Sequence, residues 1–69
     1  MKSFVDPAGN EYWVSSGLGG GAPYRTLKQE PRSQLPRVVN SRLLPYRQTE
    51  ARAQADLDKY AAGCQMRQV

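Results

Sequence analysis

One segment of the sequence, Thr49 to Gly63, carries both the composition and the end signals of a helix. The rest of the chain is broken by proline and glycine into short extended pieces, so a single helix must cover whatever sheet they build. Thr49 can cap the first turn with its hydroxyl, and Glu50 sets a negative charge at the positive end of the helix dipole. Arg52 stands where a capping box would have Glu or Gln. Ala51, Ala53, Ala55, Ala61 and Ala62 favour helix strongly, and Gly63 is expected to be the left-handed residue that ends it. Ala53, Leu57, Tyr60 and Ala61 recur at helical spacing and define one apolar stripe. Arg52, Asp56, Asp58 and Lys59 lie off the stripe, and Arg52–Asp56 and Asp56–Lys59 are expected to pair on the helix surface. A helix of this length is marginal alone in water and needs a surface to dock on.

Upstream, Ser3 to Val5 reads as extended. Asp6-Pro7-Ala8-Gly9-Asn10 reads as a turn, in which Pro presets φ and Gly supplies a positive φ. Glu11 to Ser15 is rich in strand formers, so the three pieces form a hairpin. Alternation puts Tyr12 and Val14 on one face and Trp13 on the other, and Trp13 is expected to face the helix. Gly17 to Ala22 spells G-x-G-x-x-A after a strand, but Pro23 to Glu30 reads as a third strand and not as a helix. A phosphate loop needs a helix N-terminus aimed at the phosphates, so the glycines read as a flexible connection. Pro31 to Pro36 is a loop, and Arg37 to Leu44 is a fourth extended piece ended by Pro45. Cys64 and Met66 are expected to pack back on the core, with Gln65 to Val69 fraying or adding an edge strand.

The expectation is a single small α+β domain over residues 1–69: a three- to four-stranded antiparallel sheet within 3–44, one C-terminal helix over about 49–62, and a tail at 64–69. The expected core is Phe4, Trp13, Leu27, Leu43, Ala53, Leu57 and Tyr60. With one cysteine and no histidine, neither an internal disulfide nor a zinc or haem site is expected, and no cofactor is assigned. No apolar run reaches signal-peptide length or the ~20 residues of a membrane span, which points to the cytoplasm and away from membranes. No catalytic set is visible. There is no histidine base, Cys64 lacks an activating partner, and Asp56 and Asp58 point to different sides of a helix. The chain therefore reads as non-enzymatic.

The charge is +4 overall, and it is concentrated. Residues 23–47 hold Arg25, Lys28, Arg32, Arg37, Arg42 and Arg47 against Glu30 alone, while the flanking segments are close to neutral. Such asymmetry suits a polyanion, most often nucleic acid. Tyr24 and Tyr46 lie in the same segment, where tyrosine can stack on bases or contact sugar. The candidate nucleic-acid-binding residues are Tyr24, Arg25, Lys28, Arg32, Arg37, Arg42 and Arg47. If Leu27 is core, Tyr24 and Lys28 are the exposed pair on their strand.

The Asp6-Pro7-x-Gly9 turn, the aromatic strand, the basic strands and a closing helix with Thr49 and Ala53 resemble the arm-type N-terminal DNA-binding domain of tyrosine integrases, related in fold to the AP2 domain. The chain departs from that family at Arg52, where a Glu is usual, and in placing Trp13 after the turn. In style it is also similar to small proteins of prophages and mobile elements. The integrase resemblance implies a sheet backed by one helix, with the open sheet face entering the major groove of duplex DNA. The alternative is an accessory protein or phage-encoded inhibitor that binds a host or phage protein.

Overall fold

The computed structural model describes residues 2–16, 24–40 and 42–69. The glycine-rich segment read above as a flexible connection lies outside them. Five strands form one antiparallel sheet: β1 (Phe4–Val5), β2 (Glu11–Ser16), β3 (Tyr24–Gln29), β4 (Arg37–Val38) and β5 (Arg67–Gln68), in the order β4-β3-β2-β1-β5. One helix, α1 (Glu50–Gly63), packs against β2 and β3. The fold is thus the expected α+β arrangement, with a fifth strand at the edge.

The β1–β2 connection is built on Asp6. Its carboxylate accepts hydrogen bonds from the backbone N–H groups of Ala8 and Asn10 at 3.0 and 2.9 Å. It also accepts from the Asn10 amide at 2.9 Å and the Tyr12 hydroxyl at 3.1 Å. Gly9 closes the turn with φ 91° and donates its N–H to the Asp6 carbonyl at 3.0 Å. A Cβ there would strain the backbone and meet Pro31 Cγ at 3.1 Å.

Strand register assigns the two faces. Phe4 pairs with Tyr12, Tyr12 with Lys28 and Val14 with Thr26, so these side chains share the helix side. Phe4, Tyr12 and Val14 are buried there with Leu44, Ala53, Leu57 and Ala61, and Thr26 lies buried among them. Phe4, Ala53 and Leu57 are core as expected. Trp13 and Leu27 are not, because they pair with each other across β2 and β3 on the opposite face. The helix meets the sheet with Ala53, Leu57 and Ala61, a low ridge whose alanines let the backbone come close. Val14 and Thr26 fit beneath such a ridge better than an indole does. Tyr60 stands at the margin of the core, edge-on to Tyr12 with ring centroids 6.3 Å apart.

The fourth extended piece stops early. Asn40 accepts through its carbonyl from the N–H groups of Leu43 and Leu44 at 2.9 and 3.1 Å, and through its side-chain oxygen from Arg42 N–H at 2.9 Å. This Asx-type turn folds the chain back after β4. Leu44, 2% exposed, enters the core in place of the expected Leu43, which is 58% exposed.

Thr49 caps α1 as expected, its Oγ1 accepting from Arg52 N–H at 3.3 Å. The other end differs. Gly63 is the last helical residue, and the left-handed position falls to Gln65, at φ 57°. Met66 N–H bonds to the Ala61 carbonyl at 2.9 Å and Gln65 N–H to the Ala62 carbonyl at 3.4 Å, the two bonds of a Schellman motif. Met66 then packs on the core, whereas Cys64 is exposed rather than packed. Gln65→Gly is accordingly expected to stabilise the fold by about 0.5–1 kcal/mol, by relieving a side chain held at positive φ. Gly63→Ala, whose Cβ meets nothing within 4 Å, is expected to stabilise rather than weaken the helix, by up to about 1 kcal/mol. Urea melts of both variants check this, and a midpoint lowered by Gly63→Ala would contradict the assigned helix end.

Candidate functional site

The candidate residues of the basic segment divide among three places. Tyr24 and Arg47 belong to the scaffold. They exchange backbone hydrogen bonds of 2.6 Å (Tyr24 N to Arg47 O) and 2.9 Å (Arg47 N to Tyr24 O), and Tyr24 packs partly buried against the core. The Arg47 guanidinium is held on the helix by Asp56, with Nε–Oδ2 at 2.6 Å and Nη2–Oδ1 at 3.4 Å. The expected pairs on the helix surface are replaced by this contact and by Lys2 with Asp58 at 4.0 Å. Both acids thus tie the helix to preceding segments, and neither neutralises a neighbour on its own helix.

Arg25 pairs with Ser15 and lies on the open face of the sheet. The remaining four cations lie on β3, on β4 and in the turns that precede and follow β4. Lys28 and Arg37 are register partners on the helix side of the sheet, Arg32 sits in the β3–β4 turn, and Arg42 in the turn after β4. The expectation of Tyr24 and Lys28 as an exposed pair on the outer face fails with its premise, since Leu27 is not core and the face assignment is reversed. Lys28 instead sets its ammonium 5.9 Å from the centre of the Tyr12 ring, a cation–π distance. Beside Lys28 and Arg37 a shallow groove of about 270 Å³ runs between β4 and the end of α1, with Tyr12, Tyr60, Glu30 and Asn40 along it.

Among the described residues, Lys28, Arg32, Arg37 and Arg42 take part in no ion pair, in contrast to Lys2 and Arg47. Glu30 is the one acid of residues 23–47. The arrangement can engage several anionic groups along one edge. The open face is poorer in charge, presenting Arg25 and Arg67 against Glu11. An edge strand within Gln65 to Val69 is one of the two expectations for the tail, but Arg67 is not among the candidate residues, because its face follows only from its pairing with Val5. Trp13 was noticed but assigned to the wrong face. Among the described residues no cluster of His, Cys, Asp and Glu is arranged to hold a metal ion, and no helix is long and apolar enough to cross a membrane.

Compared with known proteins, the chain matches no family model, no curated protein and no solved structure.

Proposed function

We propose that the chain is a non-enzymatic protein that binds duplex DNA through the β4 edge, with Lys28, Arg32, Arg37 and Arg42 contacting phosphates. The observation that carries this reading is the pairing of Lys28 with Arg37 at the β4 edge, with Arg32 and Arg42 in the turns before and after β4 and no carboxylate among the described residues engaging any of the four. Phosphate contacts require cations, and each one formed releases condensed counterions from the duplex. That requirement moves the proposed contact from the open sheet face, expected from the integrase resemblance, to the edge where the charge resides. Tyr46, 47% exposed near the same segment, is available for sugar or base contact. Nothing in the arrangement supplies a bidentate fork aimed at base edges, so binding is expected to be largely independent of sequence, with a Kd of about 10⁻⁴–10⁻⁶ M at physiological salt.

The test is a titration of fluorescent duplex at several salt concentrations. Lys28→Ala, Arg32→Ala, Arg37→Ala and Arg42→Ala are each expected to weaken binding to all sequences and to lower the salt slope by about one. Arg52→Ala, in the first turn of α1, serves as the control and is expected to change neither. Failure to bind at low ionic strength, or an Arg52→Ala effect as large as that of Arg37→Ala, would remove the proposal.

A further inference from the structure

The open face of the sheet carries a second pattern that the DNA-binding proposal does not use. Across its middle runs an apolar rung, Trp13 on β2, Leu27 on β3 and Val38 on β4, set side by side by strand register. Val38 is 38% exposed, Trp13 and Leu27 are half-buried, and among the described residues no helix or strand packs over the rung. One rung away toward one end, Glu11 pairs with Gln29; one rung away toward the other end, Ser15 pairs with Arg25. An acid and a base therefore flank the apolar rung on adjacent strands, at about 7 Å to either side. The Arg25 Nε is shut off from solvent and has no hydrogen-bond partner among the described residues. A desolvated guanidinium nitrogen of this kind is costly unless an acceptor reaches it.

This face is self-complementary. A two-fold axis lying along the rung, parallel to the sheet, brings Trp13, Leu27 and Val38 each against its own image. The same rotation reverses the strand direction. Glu11 of one copy then lies over the Ser15–Arg25 rung of the other, one strand spacing of about 4.8 Å from Arg25, within reach of a long side chain. The operation forms two Glu11–Arg25 pairs, and the strands of the two sheets stay nearly aligned, as in sandwich packing.

We propose that the open sheet face is the interface of an isologous homodimer, with the Trp13–Leu27–Val38 rung at its centre and reciprocal Glu11–Arg25 ion pairs at either side. The β4-edge cations Lys28 and Arg37 lie on the helix side and stay uncovered, so this proposal does not depend on DNA binding and can fail without it.

Sedimentation equilibrium over a range of protein concentrations tests it. The wild-type chain is expected to show a monomer–dimer equilibrium. Leu27→Glu is expected to give monomer, with its helical circular dichroism retained because Leu27 lies away from the core. Arg25→Glu and Glu11→Arg are each expected to weaken dimerisation at least ~10-fold by placing like charges opposite each other. The double exchange Glu11→Arg with Arg25→Glu is expected to restore it toward wild type, which residues acting separately would not produce. A wild-type chain that stays monomeric to about 1 mM overturns the proposal. So does a double exchange no better than either single variant, or a face occupied by a different protein while the chain alone remains monomeric.

Discussion

Leu57→Ala is expected to lower stability by about 2–5 kcal/mol, the largest effect of any single truncation in the helix. Leu57 is 0% exposed and stands between Ala53 and Ala61 on the buried stripe of α1, over Phe4, Tyr12 and Val14. The buried residues one turn before and after it are alanines, and Tyr60 stands at the core margin against Tyr12, so the space left by Leu57 is expected to stay largely unfilled. A chain of this length has a total stability of roughly 3–10 kcal/mol, at the usual ~0.05–0.15 per residue. The variant is therefore expected to be partly or wholly unfolded at 37 °C. Leu43→Ala, at an exposed leucine, is the comparison and should stay within about 0.5 kcal/mol of wild type. Urea melts followed by far-ultraviolet circular dichroism measure both. A Leu57→Ala midpoint close to that of Leu43→Ala would show that the helix does not seat on this residue.

Asp6→Ala is expected to cost about 2–3 kcal/mol, because hydrogen bonds to a charged acceptor are worth more than neutral ones and four donors lose theirs together. The same cluster sets a pH dependence with two limbs. Burial acts against the charged Asp6 carboxylate, but the hydrogen bonds from Asn10, Tyr12 and Ala8 outweigh it and hold its pKa below the ordinary value. A carboxyl whose folded pKa is depressed stabilises the fold above its unfolded pKa of about 3.9, and that contribution is lost as pH falls through the folded value. Tyr12 is shifted the other way, its pKa raised by burial and then by its bond to Asp6. Its contribution is complete below the unfolded tyrosine pKa of about 10 and is lost as pH rises beyond it toward the folded value. Stability is thus expected to be flat with respect to these two groups from about pH 5 to 9 and to fall on both sides. Asp6→Ala should flatten the acid limb and Tyr12→Phe the alkaline one. Thermal melts across pH that leave both limbs unchanged in the variants would place their origin elsewhere.

Local chemistry read from the sequence held wherever one residue type had one use. Thr49 caps the helix, Asp6-Pro7-x-Gly9 makes the turn, and Leu57 sits at the centre of the buried stripe. Readings failed where two residues were equally suited and only tertiary context chose between them. Period-two alternation separates Trp13 from Tyr12 and Val14 but does not say which set lies under the helix. Leu43 and Leu44 are adjacent and equally apolar, and the choice belongs to the Asn40 turn. Gly63 looked like the left-handed cap residue because glycine favours that region, whereas the chain sets Gln65 there and obtains the Schellman bonds anyway. The basic segment was visible as composition, yet composition does not distribute charge over faces. The Asp56 contact withdraws Arg47, register sends Arg25 to the open face, and Lys28 and Arg37 are paired on the helix side, with Arg32 and Arg42 in the turns before and after β4.

The strand pairing of residues 67–68 with residues 4–5 has a consequence for how the sheet is completed. Val69 N–H bonds to the Ser3 carbonyl at 2.8 Å, so β1 is held by β2 on one side and on the other by residues more than sixty positions away. A nascent chain that has not yet reached residue 67 leaves that second side of β1 without its strand, however well the hairpin and helix have formed. Assembly of the sheet is in this respect a seam closed from the far end. Its last stitch is the pairing with the greatest sequence separation, the kind of contact that slows folding most.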